Sequence, residues 1–569
     1  MPAHRLLLLR IILLAVALVF VGRLTLLQLV HGAEFREASR KNHLRWVRSP
    51  ATRGRILDCK GRPLATCIPA LAIWLVPGEV PRDRWNYLLH RYVALGIYPD
   101  VPSAAQTLAE CRRFPGYLPI RLLGGVSMKD PLIARCEEEL PFLPGTYIRV
   151  DPVRAYPEGC LAAQTIGYLA EIDADELKQR QQEGYRMGDR IGKTGVERAF
   201  ENDLRGVEGG DEVEVDACGR KLRESHHVAQ RAGTDITLTL DLDIQLAAER
   251  AMQGHQGAAV ALDPATGNIL ALVSEPAFDL NAPPADRSEF NKAIRGQYPP
   301  GSVFKIVTAA AGLEAGKITP DTYVYCDGEY KGIRCWDHAG HGALDLTGAL
   351  EHSCNVFFMH IAEQVGVDAL AMMARRFGLG QRVNIDGVVT GKSGTVPDMA
   401  WAKKHMHGEW MPGETLQMGM GQSSLTVTPL QSARIAAAIA NGGKLVQPRL
   451  IARIGDVERP VMAPTPIGLH ERTLLAIERG LRAVVTEGTA RQLDADLQIA
   501  GKTGTAQNPG GMDHAWFAGY APAGHPCVAV AVIVEHGGHG GVVAAPIAQA
   551  IIRAALGKGA MTSTESTSR

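Results

Sequence analysis

The chain has 569 residues, 46% of them hydrophobic, which is ample for a core but long for one domain, so two or more are expected. Its 60 lysines and arginines balance 60 aspartates and glutamates, which gives no support to a polyanionic partner and excludes the charge signature of nucleic-acid binding.

The first predicted element runs from Ile11 to Val30 and is apolar except at Gly22, Arg23, Thr25 and Gln28. About 20 residues of helix span the hydrocarbon core of a bilayer. Val30-His31-Gly32-Ala33 is a poor cleavage site, so an uncleaved transmembrane helix is expected over a signal peptide or a buried core helix. Arg5 and Arg10 precede it, while Arg36, Arg40, Lys41, Arg45 and Arg48 follow it. Long downstream domains cross largely regardless of such charge, so residues 1–10 are expected in the cytoplasm and the chain after residue 30 on the far side of the membrane.

From about Arg45 to Val228 the sequence is mixed, with many Pro and Gly punctuators and no catalytic pattern. Ile236 to Leu242 alternates as a strand and leads into a helical pattern from Ile244 to Met252, which places a boundary near residues 229–234. Gly257 to Leu262 and Ile269 to Val273 are apolar runs separated by Asp-Pro-Ala-Thr-Gly-Asn, which is hairpin chemistry. Near the far end, His514 to Tyr520 and Cys527 to Val534 form a second strand pair, followed by a closing helix from Pro546 to Leu556. Strands at both ends of a helical middle predict an α+β domain, with one antiparallel sheet assembled from both ends of the segment and helices packed on it. The expected organisation is a membrane helix at 11–30, a pedestal at 31–230, a catalytic domain at 231–558 and a disordered tail at 559–569.

Within the helical middle, Ser302 follows a Pro-Pro-Gly break, and Lys305 stands three residues on, one helical turn away. Alone, such a pair reads as a helix cap followed by a snorkelling lysine. Ser353-Cys354-Asn355 downstream, in a stretch expected to be helical, and Lys502-Thr503-Gly504 before the last strand pair complete the three-part set of penicillin-recognising acyltransferases. The chemistry explains the residue types. A serine hydroxyl is a weak nucleophile, and a lysine can take its proton only if burial or nearby positive charge keeps the amine neutral. Val303, Phe304, Ile306 and Val307 offer the apolar setting, and Lys502 the charge. Backbone N–H groups at Ser302 and Thr505 are expected to hold the oxyanion. Ser353 would relay a proton to the leaving amine and Asn355 would hold the substrate amide. Thr503, Gly504 and Thr505 would line the strand edge, with the two threonines beside Lys502 taking the terminal carboxylate.

Gly-Lys-Thr-Gly at 192–195 and Gly-Lys-Ser-Gly at 391–394 imitate the third motif, but only Lys502 is followed by strands. A phosphate loop would need glycine at 187, 386 or 496, where Met187, Asp386 and Asp496 stand. Asp513-His514 reads as a turn into a strand and not as part of a hydrolase triad.

Cys326, Cys335, His341 and Cys354, separated by 8, 5 and 12 residues, form a possible closed zinc set, and the competing reading is a Cys326–Cys335 disulfide. The other cysteines, Cys59, Cys67, Cys111, Cys136, Cys160, Cys218 and Cys527, show no ligand spacing.

With these motifs, Arg53-Gly54-Arg55-Ile56-Leu57-Asp58, Arg154-Ala155-Tyr156-Pro157-Glu158-Gly159, Gly192 to Glu197 and Gly419-Met420-Gly421-Gln422 make the chain resemble the class B penicillin-binding proteins over nearly its whole length. It is most similar to the elongation type, penicillin-binding protein 2. Asn355, where elongation-type relatives often carry Asp, and Gln164, where His is common, leave the division type as an alternative. The resemblance implies a pedestal followed by a transpeptidase domain and a donor ending in D-Ala-D-Ala. It also implies acylation of Ser302 by β-lactams, and a polytopic shape-elongation glycosyltransferase as partner in the membrane. A structural zinc on Cys326, Cys335, His341 and Cys354 is likewise implied, with no organic cofactor. A β-lactam hydrolase or sensor shares the three motifs, and a catalytically dead scaffold would have no need to keep them.

Overall fold

A computed structural model describes residues 3–33, 44–114, 116–216, 221–282, 289–406, 409–508 and 510–557. Arg36, Arg40, Lys41, Cys218 and the Ser/Thr-rich tail lie outside these residues.

One compact unit is drawn from Met1–Gly54, Cys67–Arg154 and Arg205–Gly233. It begins with helix α1, Ala3–Thr25, continued by a π-helical turn at Leu26–Val30. Residues Arg10–Val30 are long and apolar enough to cross a membrane, and none of that segment is buried. Strands β1 (Leu44–Ser49), β2 (Gly209–Val215) and β3 (Lys221–Val228) form an antiparallel sheet in the order β1-β2-β3. Elsewhere in this unit, residues 71–75 pair antiparallel with Ile120–Val126. Three amphipathic helices, Trp85–Leu95, Val101–Cys111 and Pro131–Glu139, add Leu88, Tyr92, Leu108 and Ile133 to the core beside that pair.

The second unit is drawn from Arg55–Thr66, Ala155–Leu204 and Thr234–Arg569. Its centre is a five-stranded antiparallel sheet of β4 (Gly257–Leu262), β5 (Ile269–Glu275), β6 (Ala500–Ala506), β7 (His514–Ala521) and β8 (Val528–Val534), in the order β5-β4-β8-β7-β6. Small and β-branched side chains alternate across it with a period of two. Ala258, Val260 and Leu262 enter one core with Ala529, Ala531 and Ile533, while Ala259 and Ala261 enter the other with Val530 and Val532. Helix α2 (Leu242–Met252) covers the second face with a C-terminal helix, Ala544–Ala555. The first face packs against α5 (Pro429–Ala440), and α3 (Lys305–Glu314) and α4 (Asn355–Val365) add to the same core. Because β6 is an edge strand, its outer side pairs with no other strand among the described residues.

Two details differ from the sequence expectation. The strand at Ile236 stops at Leu238, because the Asp241 carboxylate accepts from the Asp243 N–H and caps α2. Ser353 and Cys354 lie between helices, not within one. Helix Leu346–Glu351 ends with Ser353 N–H on Leu350 C=O and Cys354 N–H on Ala349 C=O, a Schellman closure. That closure places Ser353 at a left-handed φ of 54°, the position glycine normally occupies.

The stretch Arg55–Thr66 has a structural role in this unit. Asp58 is fully buried, and its carboxylate accepts from the backbone N–H groups of Lys60, Arg62 and Leu242 and from Arg62 Nε. Arg62 also bridges to Asp241 and Asp243. Truncating one member of a buried charged network leaves the others unpaired, so Asp58→Ala is expected to cost about 3 kcal/mol. Calorimetry of the detergent-solubilised chain checks this as an earlier unfolding transition, with Asp58→Asn losing less.

Candidate active site

The Pro-Pro-Gly break gives way to a single 3-10 turn, Gly301–Phe304, and the α-helix proper starts at Lys305. Gly301 takes φ 52°, and a Cβ there would lie 2.6 Å from Thr505 O, so only glycine lets this turn rest against β6. Trp516 Nε1 donates to Pro299 O at 3.0 Å and pins the break to β7. Ser302 is half-buried at the mouth of the turn, while Lys305 is fully buried among Val303, Phe304, Ile306 and Val307.

The Lys305 amine reaches across to the second motif. It donates to Ser353 O at 2.7 Å and Asn355 Oδ1 at 2.8 Å, and lies 3.3 Å from Ser353 Oγ. The Schellman turn explains this reach, since the left-handed residue presents its carbonyl and its hydroxyl to one nitrogen. Burial draws the Lys305 amine down to about 8, against a small upward pull from Cys354 and Cys335. Lys502 is also fully buried and donates to Thr503 O at 3.2 Å. Burial, then the charge of Lys305, holds it well below the usual lysine value. Two buried amines that repel each other's protons will not both stay charged without an added anion.

A cavity of about 440 Å³ opens over these groups, and Ser302, Ser353, Asn355, Thr503, Gly504 and Thr505 line it. Lys305 and Lys502 lie behind that lining. Thr503 Oγ1 is 2.7 Å from Thr489 Oγ1, which also faces the cavity. Other lining residues were not singled out as site residues in the sequence: Arg334 and Trp336 on a hairpin, Gln417 and Gln422, Asp513, and His539 with Val542 after β8. Gln422 sits in a segment already quoted for the resemblance. Asp513 lines the cavity, whereas His514 turns away to stack edge-on against Tyr298.

Beside the second motif, Cys326, Cys335, His341 and Cys354 bring one donor atom each to within 4.8 Å of one another. His341 Nδ1 is 3.5 Å from Cys326 Sγ and 3.7 Å from Cys335 Sγ. Zinc–sulfur and zinc–nitrogen bonds of about 2.3 and 2.0 Å in a tetrahedron set such donors roughly 3.5 Å apart. Cys326, Cys335 and Cys354 are free thiols here. Cys335 is drawn below the ordinary thiol value by the hydrogen bond with Cys354 and then by the backbone N–H of Asn355, and the same contact pushes Cys354 up. The three-thiol, one-imidazole set therefore fits a divalent soft metal. It also touches the site: Asn355 N–H lies 3.4 Å from Cys335 Sγ, and Trp336 Nε1 donates to His352 O.

Residues 257–553 match the family model for the penicillin binding protein transpeptidase domain, and residues 48–238 that for the penicillin-binding protein dimerisation domain. The chain is 32% identical to the peptidoglycan D,D-transpeptidase MrdA of Acinetobacter baumannii, over 93% of this chain and 84% of the relative. Two solved structures are similar. One is Pseudomonas aeruginosa PBP2 in complex with WCK 5153, with 30% identity, TM-score 0.66, and 90% and 96% of the two chains covered. The other is a chain of a peptidoglycan synthase complex that coordinates polymerization and crosslinking, with 31% identity, TM-score 0.72, and 98% and 100% covered.

Proposed function

This chain belongs to the class B penicillin-binding proteins of the elongation type, and from that premise we infer that it is a peptidoglycan D,D-transpeptidase of cell-wall synthesis. The reaction is acyl transfer from a donor stem ending in D-Ala-D-Ala to an amine on a neighbouring stem. The observation that carries the mechanism is the buried Lys305 amine, bonded to Ser353 and Asn355 behind a cavity that Ser302 lines.

In the first step Ser302 Oγ attacks the carbonyl of the penultimate D-Ala, and Lys305, when neutral, takes the hydroxyl proton. The Ser353 hydroxyl, 3.3 Å from that amine, passes a proton to the departing D-Ala nitrogen. Asn355 spends its Oδ1 on Lys305, which leaves its NH2 group for the donor amide. Thr503 and Thr505 hold the terminal carboxylate with Lys502 behind them. An arriving carboxylate restores charge to Lys502, and a charged Lys502 in turn disfavours a proton on Lys305, so the donor helps to free its own base. The acceptor amine then attacks the ester by the reverse sequence.

Structural zinc on Cys326, Cys335, His341 and Cys354 is part of this reading. It would supply a fixed anchor beside Ser353 and Asn355 and no chemistry of its own. Further parts are a periplasmic catalytic unit on an N-in anchor, acylation by β-lactams, and a shape-elongation glycosyltransferase as partner. The relative solved within a synthase complex supports the last.

Incubated with a fluorescent penicillin, the full chain in detergent is expected to carry one stable adduct, which mass spectrometry places on Ser302. An adduct elsewhere would overturn the assignment. Rapid loss with release of hydrolysed drug would mark a hydrolase and point to Asp513, the only carboxylate among the lining residues described, as the group that aims water.

A further inference from the structure

Arg334 stands on the wall of the catalytic cavity, and the mechanism above gives it nothing to do. It is exposed, lies on the short strand Ile333–Arg334, and is the only permanent cation among the described lining residues. Glu329 sits opposite it across the hairpin, yet no ion pair or side-chain hydrogen bond engages the guanidinium among the described residues. Its neighbours on the wall, Ile333 and Trp336, are apolar, so no other residue of the hairpin that lines the cavity carries a charge.

Its position is fixed from the second motif. Cys335, the next residue, has its sulfur 3.4 Å from the Asn355 N–H, and Trp336 Nε1 donates 3.0 Å to His352 O. Asn355 is the residue whose amide is free to hold the donor upstream of the scissile bond. The hairpin wall is therefore tied to Asn355, the group assigned to the donor amide, whereas the terminal carboxylate is assigned to Thr503 and Thr505 on β6.

We propose that Arg334 is a specificity-determining residue, which reads a free side-chain carboxylate on the donor residue next upstream of D-Ala-D-Ala. The inference rests on the transpeptidase reading above. A guanidinium offers a planar fork that matches a carboxylate with two parallel hydrogen bonds, and a carboxamide satisfies that fork poorly. The acceptor stem has the same chemistry, so the two sources must be separated by measuring acylation alone.

The test uses the full chain in detergent and two synthetic stem peptides ending in D-Ala-D-Ala. They differ only in whether the preceding residue carries a side-chain carboxylate or its carboxamide. D-Ala release is followed without acceptor. The wild-type chain should prefer the carboxylate by about fivefold in the second-order rate constant for the single D-Ala released per site, the scale of one partly exposed ion pair. Arg334→Gln should bring the ratio to about one, Arg334→Lys should keep part of it, and Arg334→Glu should invert it. Because the ratio is internal to each protein, a general loss of folding leaves it untouched. A wild-type ratio of one, a preference that survives Arg334→Gln, or a preference seen only when acceptor is added would each overturn the proposal. Absence of D-Ala release from both peptides would instead sink the transpeptidase reading, and the proposal with it.

Discussion

Replacing Lys305 with methionine will slow acylation of Ser302 by about 10³- to 10⁴-fold, the scale of a lost general base, while leaving a chain that still folds. Methionine keeps much of the volume in a site with no exposure, so packing beside Phe304 and Phe358 changes little. What disappears is the nitrogen that bridges Ser353 O and Asn355 Oδ1. The pH profile separates a base from a spacer. A buried amine drawn to about 8 is protonated below that pH and cannot accept the serine proton. Acylation by a neutral probe such as a penicillin ester should therefore climb with pH up to about 8 and then level off, whereas Lys305→Met should be flat. A donor that bears a carboxylate, by charging Lys502, should move the wild-type rise to lower pH. Stopped-flow acylation between pH 6 and 10 checks all three. An unchanged slope in the variant would remove Lys305 from the role of base.

The second large effect belongs to the thiol cluster. Cys354→Ala should reduce bound zinc from about one per chain to near none, and acylation by about 10²-fold, since displacing catalytic groups by about 1 Å costs that much. Cys354 is fully buried, and its neighbours on either side are Ser353 and Asn355, the two residues that bond to Lys305. Loss of the anchor should release the strained Ser353 turn before it affects the sheet. Metal analysis of protein purified without added zinc, together with penicillin acylation rates, tests this. A metal-free wild-type chain with a Cys326–Cys335 disulfide would end the proposal.

The sequence carried the parts of the site that chemistry spells out in neighbouring residues. Ser302 with Lys305, Ser353 with Asn355, and Lys502 with the residues after it are each a short run, and the structure gathers their ends around one cavity. The central sheet was equally legible, because runs such as Gly257–Leu262 and Val528–Val534 are buried on both faces and read as continuous apolar strands. Other features had no local signal. Thr489 follows a helix and Arg334 sits in a two-residue strand, and only tertiary packing brings them to the cavity. Asp513 looked like a turn residue; it lies outside regular structure immediately before β7, and its place on the cavity wall depends on where β7 begins. The break at Ser353 was hidden for another reason: a Schellman closure normally announces itself with glycine, and here a residue needed for its hydroxyl takes that place.

The order of the central sheet also governs how the enzyme can be made. Val260 on β4 lies opposite Ala531 on β8, so the middle of the sheet joins segments from opposite ends of this unit. At a synthesis rate of roughly 5–20 residues per second, the first hairpin waits on the order of tens of seconds for its neighbour. Throughout that interval an oily, edge-bare ribbon is prone to clump with other nascent copies unless a holdase shields it. A chain cut short before residue 528 lacks the strand that joins β4 to β7, so the sheet is left in two separate pieces.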